Sequence, residues 1–266
     1  MKIDVELGSN LYIIIGVDTV KLKRKAAFAL QGLNQLFWPA VCVNCKRSIC
    51  ETDANLCKNC WGELLGCTGG DYCRRCGRNV SRFAVVEGAC PDCQGREIYF
   101  DQISRSGVYR DALQRMILSF KKGQTELDTV LGFLGNSALA GSGFGKDIEY
   151  FVPVPLHWTR RLTRGYNQSL IIARKLRHPS AKVNTELVRI RRTKSQPMMA
   201  SPAARARNVA GAFGVRKGHN FGGGNICLVD DIKTTGATLN ECAKTLKQAG
   251  ASKVFALVLA VAGQNI

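Results

Sequence analysis

The chain has 266 residues, of which 45% are hydrophobic and 8% aromatic, a composition that supports a packed core and excludes general disorder. Lysine and arginine total 38 against 20 acidic residues, a net charge of +18, and a field of that sign attracts polyanions such as nucleic acid, nucleotides or anionic lipid headgroups. The length allows one full α/β domain and a small accessory module.

The first 36 residues show no clear pattern, and we interpret them as a leader or loose tail. Their apolar run from Leu11 to Ile15 is far shorter than the ~20 residues needed to span a bilayer. It also lacks the basic flank and small-residue cleavage site of a signal peptide. We therefore expect a cytoplasmic protein without a membrane span.

Eight of the twelve cysteines form four C-x-x-C pairs within residues 37–97. The pairs are Cys42/Cys45, Cys57/Cys60, Cys73/Cys76 and Cys90/Cys93. Each such turn lets two thiolates converge on one tetrahedral ion, and a second turn closes the site with Zn–S bonds of about 2.3 Å. Disulfides are disfavoured in a reducing cytosol, and a thioredoxin-like redox motif has one such pair rather than four. The spacing predicts a double zinc ribbon with two zinc ions, with sequential and crossed pairing both open.

These sites are predicted to be structural, because four cysteine ligands leave no open position for an activated water. Gly77 directly follows Cys76, at a point where a knuckle often needs positive φ. Cys50 and Cys67 are interpreted as spare thiols, with replacement of a ligand as the alternative.

From residue 98 to residue 266 the pattern predicts one α/β domain. A helix over Asp111–Phe120 and a second over Thr125–Ala140 are expected, followed by a helix carrying the stripe Leu162, Tyr166, Leu170 and Ala173. A last helix carries Leu239, Cys242, Ala243, Leu246 and Ala249 and is closed by Gly250. Strands are predicted at Tyr150–Val154, Leu187–Ile190, Ile226–Val229 and Val254–Val261. This alternation indicates a parallel sheet with helices on both faces.

Positive charge is concentrated between Phe151 and Phe221, where fifteen basic residues accompany a single acid, Glu186, a net charge of +14. Such a bias predicts anion binding. The segment from Arg191 to Val209 is basic and contains Pro197 and Pro202, which argue against a regular helix. We interpret it as a mobile lid.

The strand at Ile226–Val229 leads into Asp230 and Asp231, and a loop, Thr234–Thr238, then opens a helix. Ligands bind at the carboxyl ends of parallel strands, and a helix N-terminus offers N–H groups to an anion. Two carboxylates beside a phosphate cradle repel it unless they hold hydroxyls or a cation, and a sugar phosphate meets both needs. The chain has no P-loop motif, and its Gly141–Gly145 segment lacks the spacing of a dinucleotide loop.

This motif resembles the signature of the phosphoribosyltransferase superfamily, an apolar strand, two acids and T-G-x-T. The resemblance implies a type I phosphoribosyltransferase-like fold that binds phosphoribosyl pyrophosphate with Mg²⁺. Asp230 and Asp231 then become catalytic residues that meet the ribose hydroxyls. The residues that hold the 5′-phosphate become Lys233, Thr234, Thr235, Gly236, Ala237 and Thr238. Lys233 departs from the family, where an apolar residue is expected.

Further blocks resemble the ComF competence family from about Phe37 to Ala262. They are V-P-V-P at 152–155, R-L-T-R-G-Y-N-Q-S at 161–169, R-T-K-S-Q at 192–196, Arg207-Asn208 and Ala212-Phe213. The family analogy places a pyrophosphate-binding turn at 155–158 and so implicates Leu156 and His157, with a solvated loop histidine as the favoured alternative for His157. Further candidates for pyrophosphate or nucleic-acid contact are Arg161, Arg164, Arg191 and Arg192. For Arg161 and Arg164, which lie one helical turn apart, a solvent-facing helix stripe is the alternative.

The resemblance leaves two functional hypotheses. In the first, the protein binds phosphoribosyl pyrophosphate, acts in natural competence and DNA uptake, and transfers a phosphoribosyl group to an unknown acceptor. In the second, it is a competence protein that binds single-stranded DNA, and its phosphoribosyl site is a ligand-binding or regulatory pocket. Competence-machinery proteins are expected partners in both. A glutamine amidotransferase is not expected, because the motifs cover the phosphoribosyltransferase half alone.

Overall fold

The structure is a computed structural model that describes residues 40–49, 55–86, 88–156, 164–193 and 201–263. The chain divides into two compact units, residues 1–57 and 58–266. The second unit contains the whole central sheet and also residues 73–93, which carry the third and fourth C-x-x-C pairs. The domain boundaries expected after residues 36 and 97 stay predictions.

Six α-helices and seven strands lie within the described residues. The helices are α1 (Lys58–Leu65), α2 (Asp111–Lys121), α3 (Asp128–Ala140), α4 (Gln168–Lys175), α5 (Pro202–Val209) and α6 (Ala237–Gln248). The strands are β1 (Gln102–Val108), β2 (Tyr150–Pro153), β3 (Lys182–Val183), β4 (Leu187–Arg189), β5 (Phe213–Val215), β6 (Ile226–Lys233) and β7 (Val254–Val261). Among the described helices, none has the length and apolar character needed to cross a membrane.

Five strands form one sheet in the order β1-β7-β6-β2-β3, and every pair in it is parallel. A parallel sheet is stable in water only when both faces are covered, and all eight residues of the central strand β7 are buried. The predicted α/β fold with a parallel sheet is therefore confirmed.

Helices cover the two faces of this sheet. On one face α3 packs against β1 and β7, and the hydroxyl of Ser104 donates to the carbonyl of Ala138 at 2.7 Å. On the other face α6 places Leu239 and Leu246 in the same buried cluster as Leu228 of β6. The apolar stripe predicted for α6 is thus the side that meets the sheet, and Gly250 ends the helix with φ of 88°.

Three elements differ from the sequence predictions. Strand β4 pairs antiparallel with β5 in a separate two-stranded sheet. Helix α4 begins only at Gln168, with Asn167 as its N-cap, so Tyr166 precedes the helix, and Leu162 lies outside the described residues. Pro202 does not prevent a helix, because it occupies the first turn of α5, where proline's missing N–H costs nothing.

Strand β1 has no counterpart among the predicted strands. Its sequence, QISRSGV, carries Ser104, Arg105 and Ser106, all of which are buried. Both serine hydroxyls donate to carbonyls of α3, and the Arg105 guanidinium lies 4.7 Å from the centre of the Tyr72 ring. The strand therefore lacks an apolar pattern, and its two buried serines are accommodated by hydrogen bonds to α3.

Candidate functional site

The eight predicted zinc ligands form two groups of four. The first cysteine group is Cys42, Cys45, Cys57 and Cys60, and the second cysteine group is Cys73, Cys76, Cys90 and Cys93. In each group the four sulfur atoms lie within 4.8 Å of one another, so the pairing is sequential. Cys67 belongs to neither group, since its thiol contacts the carbonyl oxygens of Glu63 and Arg110, and Cys50 lies outside the described residues.

The sulfur positions fit zinc. Tetrahedral Zn–S bonds of about 2.3 Å separate the sulfurs by about 3.8 Å, and the recorded Sγ–Sγ distances are 3.6–3.7 Å. A disulfide would require about 2.05 Å. Two structural zinc sites with all-cysteine ligands are therefore supported, as the spacing predicted.

Burial raises the pKa of these thiols and backbone N–H groups lower it, and the balance differs between cysteines: the pKa of Cys73 in the second group is lowered, as is that of Cys42 in the first. Burial works to raise the pKa of Cys42, but N–H groups of Cys45, Cys57 and Asn44 outweigh it, and the pKa falls to about 6. In the fully buried second group, burial raises the pKa of Cys76 to about 11. Four buried thiols cannot all ionise without a cation, so the second group depends strongly on a bound metal ion.

The second cysteine group is packed directly against the sheet. Gly77 has φ of 78°, as its place after Cys76 predicted. A Cβ built on it would lie 3.2 Å from Cγ2 of Val261 and 3.4 Å from Cγ2 of Ile103. The glycine therefore allows the zinc-binding turn to approach the strands β1 and β7 closely.

Asp230 and Asp231, hereafter the carboxylate pair, lie within β6 rather than beyond its end. Strand β2 pairs with β6 only as far as Val229, so the pair projects past the carboxyl end of β2. Asp230 Oδ1 accepts from the hydroxyl of Ser169 at 2.9 Å, and Asp231 Oδ2 forms a salt bridge with Lys121 Nζ at 2.8 Å. Burial, followed by the adjacent carboxylate, raises the pKa of Asp230 to about 7.

The R-G-Y-N-Q-S block positions the groups around the carboxylate pair. The Tyr166 hydroxyl donates to the carbonyl of Phe120, next to Lys121. The Asn167 side chain donates to the carbonyl of Val154 at 3.1 Å and accepts from the N–H of Ser169. This block thereby joins the C-terminus of α2, the end of β2 and the start of α4 at one place.

The segment Thr234–Thr238, hereafter the threonine loop, leads from the end of β6 into the first turn of α6. Gly236 is the N-cap of α6 with φ of 85°, and it offers no side-chain acceptor to the first turn. Thr235 Oγ1 accepts from the N–H of Ala237 at 3.4 Å. A helix N-terminus without a side-chain cap directs N–H groups and the positive end of the helix dipole toward an anion.

Lys233 runs beneath this loop. Its side chain is buried, with 5% of the residue exposed, and burial lowers its pKa. A Cβ built on Gly236 would lie 2.9 Å from Lys233 Cε and 3.6 Å from Nζ. The residue that departs from the family pattern therefore supplies a buried cation directly under the threonine loop.

The remaining predicted site residues are not gathered into one place. Leu156 is half-buried at the end of β2, whereas His157 and Arg161 lie outside the described residues. Arg164 contacts Gln168 Oε1 at 3.4 Å. Arg191 donates to the carbonyls closing α5, at 2.7 Å to Ala210, so it has a structural use, and Arg192 is exposed. Ligand contact by all of these residues stays a prediction, as does the lid, whose residues 194–200 are not described.

Lys121 and Ser169 are functional candidates that the sequence did not single out. Lys121 ends an amphipathic helix, where a basic residue ordinarily balances the helix dipole. Ser169 lies in the first turn of α4, within the R-G-Y-N-Q-S block. That block was the sequence feature from which a role for Ser169 could have been predicted. Only the fold brings both side chains to the carboxylate pair.

Comparison with known proteins identifies relatives over most of the chain. Residues 33–94 match the double zinc ribbon domain family. Competence protein F of Haemophilus influenzae is 28% identical over 220 residues, which cover 80% of this chain and 93% of that protein. Competence protein ComFC of Bacillus subtilis is 28% identical over 216 residues, 75% of this chain and 81% of that protein.

A shorter match joins this chain to the DNA utilization protein YhgH of Salmonella typhi, 36% identical over 108 residues, 40% of this chain and 46% of that protein. Because the two long matches cover 75–80% of this chain, they cannot be confined to the α/β region of residues 98–266. The predicted resemblance is thus confirmed: the ComF and ComFC competence proteins are homologues of this chain, which carries a double zinc ribbon domain.

Proposed function

We propose that the protein binds phosphoribosyl pyrophosphate with Mg²⁺ at the carboxylate pair and the threonine loop, and acts in the handling of DNA during natural competence. The observation that carries the proposal is the direct succession of two carboxylates and an uncapped helix N-terminus at one end of the sheet. Hydroxyl-binding and phosphate-binding groups then lie one short loop apart. A phosphorylated ribose carries hydroxyls and a phosphate at a separation that matches this distance.

The carboxylate oxygens suit vicinal hydroxyls, because an ionised carboxylate accepts several hydrogen bonds. They also suit Mg²⁺, which prefers oxygen ligands and commonly takes one or two carboxylates together with substrate phosphates. A bound Mg²⁺ would neutralise pyrophosphate charge while the bond at the ribose C1 breaks. Ser169 and Lys121 hold the two carboxylates in place before any ligand arrives. Transfer to an acceptor is part of the first hypothesis, and the acceptor is not identified.

The names of the relatives, two competence proteins and a DNA utilization protein, support the biological setting. A groove of about 590 Å³ beside β2, lined in part by Arg174, Arg189, Arg216 and Tyr166, supports contact with a single strand. Cationic grooves with aromatic side chains follow the backbone and bases of single-stranded nucleic acid. If the double variant Arg174→Gln/Arg216→Gln bound an oligothymidylate as tightly as the wild type, this groove would be excluded.

Calorimetric titration tests the proposed ligand. Phosphoribosyl pyrophosphate with Mg²⁺ is titrated into the wild type and into the variant Asp230→Asn/Asp231→Asn. We expect binding near the micromolar range for the wild type and a loss of at least about a hundredfold in the variant, since two charged hydrogen-bond acceptors are removed.

Asp147→Asn serves as the matched control, because Asp147 is an exposed acid in a separate turn. It should bind the ligand as the wild type does. Absence of binding in the wild type, with the fold intact by circular dichroism, would contradict the proposal. The second hypothesis, a DNA-binding protein with a relic pocket, would then be the better account.

A further inference from the structure

A cavity of about 430 Å³ lies between the second cysteine group, α5 and the threonine loop. Its basic lining residues are Arg78 and Arg96 from the zinc ribbon and Lys233 from β6. Two acids, Asp92 and Glu97, also line it, so the lining keeps a net positive charge. All of these residues belong to the compact unit of residues 58–266.

The acidic residues of this cavity already have partners. Asp92 forms a salt bridge with Arg78 at 2.9 Å. Glu97 acts on the neighbouring Tyr99, whose pKa it raises, and the main-chain carbonyl of Glu97 accepts from the Asn240 side chain of α6 at 3.1 Å. The positive charges that stay available to a ligand are therefore those of Arg96 and Lys233.

Lys233 is the unusual member of the lining, because its side chain is almost wholly buried. Within the described residues, its ammonium forms no hydrogen bond and no salt bridge. Burial disfavours its charged form, which the cysteines Cys76 and Cys93 of the second group partly offset, and an anion in the cavity would stabilise that charge further. Gly236 of the threonine loop lies directly above the Lys233 side chain and lines the same cavity.

The N-terminus of α6 converges on the same space. The helix has twelve residues, and Thr235, Gly236 and Ala237 at its start line the cavity. Its dipole and first N–H groups favour an anion on the side where Lys233 lies. A buried cation and a helix N-terminus together suit a compact dianion with several acceptor oxygens, which is the character of a phosphomonoester.

We propose that the zinc ribbon forms one wall of the phosphate site, with Lys233 as its floor and Arg96 at its rim, and that this cavity selects a phosphomonoester. The inference rests on the proposed function of the threonine loop and adds the zinc ribbon and Lys233 to the recognition of the ligand. The phosphomonoester comes either from a sugar 5-phosphate or from the 5′-phosphorylated end of a DNA strand.

The test compares the full-length, zinc-loaded wild type with Lys233→Met, which keeps the apolar stem and removes the charge. Ribose 5-phosphate is titrated first, followed by an oligothymidylate of about twelve nucleotides with and without a 5′-phosphate. Lys233→Met should weaken binding of ribose 5-phosphate by about tenfold or more. Binding of the unphosphorylated oligonucleotide should not change. If the 5′-phosphate raises the affinity of the oligonucleotide and Lys233→Met abolishes that gain, a DNA end is a source of the phosphomonoester. If the two oligonucleotides bind equally well, the sugar phosphate is the source.

Lys253→Met is the matched control, since Lys253 is exposed in the turn before β7, and it should bind every probe normally. Arg96→Gln, which is exposed and cannot disturb folding greatly, should weaken ribose 5-phosphate by about two- to fivefold. If Lys233→Met does not fold, Arg96→Gln decides the question.

Unchanged affinity for ribose 5-phosphate in these variants overturns the inference. A lowered zinc content of Lys233→Met together with unchanged affinity would instead assign Lys233 to charge balance at the second cysteine group. A wild type that binds neither ribose 5-phosphate nor phosphoribosyl pyrophosphate would defeat the proposed function itself, which is a different result from equal binding by wild type and variant.

Discussion

The second cysteine group and the carboxylate pair both crowd ionisable acids into the interior, and the fold treats them differently. The four thiols of the second group are fully buried, and burial raises the pKa of Cys76 to about 11. The carboxylate pair is flanked by Lys121 and by the hydroxyl of Ser169. The second cysteine group needs a metal cation from solution, whereas the carboxylate pair receives its cation, Lys121, from the chain itself.

This difference separates a structural site from a binding site. A cluster that is neutralised only by zinc lends its metal-binding free energy to folding, which amounts to about 10–16 kcal/mol in small zinc domains. A cluster that the chain already balances can stay folded without ligand and present its oxygens to one. Three changes test the contrast, and the first has the largest expected effect.

The double variant Cys73→Ser/Cys76→Ser should lose one of two zinc ions and destabilise the unit of residues 58–266 by several kcal/mol, because the zinc-binding turn packs on β1 and β7. Zinc content by elemental analysis and thermal unfolding by circular dichroism measure both effects. Cys42→Ser/Cys45→Ser is the matched control. It should also lose one zinc ion, yet destabilise the sheet less, because Cys42 and Cys45 themselves lie outside the unit of residues 58–266 that contains the sheet. Equal destabilisation by the two variants would contradict the contrast.

Lys121→Ala should lower the free energy of unfolding by about 1–3 kcal/mol, because it leaves the buried Asp231 carboxylate without its charged partner. Urea denaturation measures the change. The neighbouring Lys122 is exposed, and Lys122→Ala should alter stability by less than about 0.5 kcal/mol. If both variants behave alike, Lys121 does not balance the carboxylate pair.

Asp230 should make stability depend on pH in an unusual direction. Its pKa is raised from 3.8 to about 7, so the native state holds a proton that the unfolded chain has already released. Stability should therefore fall as pH rises from about 4 to 7, between the unfolded and the native pKa. Asp230→Asn keeps the acceptor for Ser169 and lacks the proton, so its urea midpoint should fall less over that range. Parallel curves for the two proteins would show that Asp230 titrates normally.

The same contrast explains how much of the molecule the sequence predicts. The zinc ligands are evident because both pairs of each site lie close together in the chain, although the spacing alone left the pairing open. The strand before the threonine loop is equally local and was predicted, although it extends to Lys233 and includes the carboxylate pair that was expected to follow it. These motifs carry their geometry within a dozen or so residues.

Features that depend on distant partners were not predicted. Lys121 reaches Asp231 across most of the α/β region, and Ser169 reaches Asp230 from 61 positions away. Strand β1 was not predicted because two of its buried positions carry serine and not an apolar residue. Ser104 and Ser106 are hydrogen-bonded to carbonyls of α3. The direction of Lys233, inward beneath the loop, likewise follows from the register of β6 beside β7.

The central claim is that the carboxylate pair and the threonine loop together form a phosphoribosyl site. A crystal structure of the protein with phosphoribosyl pyrophosphate and Mg²⁺ tests it most directly. The account predicts ribose hydroxyls within hydrogen-bonding distance of Asp230 and Asp231, and the 5′-phosphate on the N–H groups of the threonine loop. A ligand bound elsewhere, with these groups unchanged from the free protein, would contradict it.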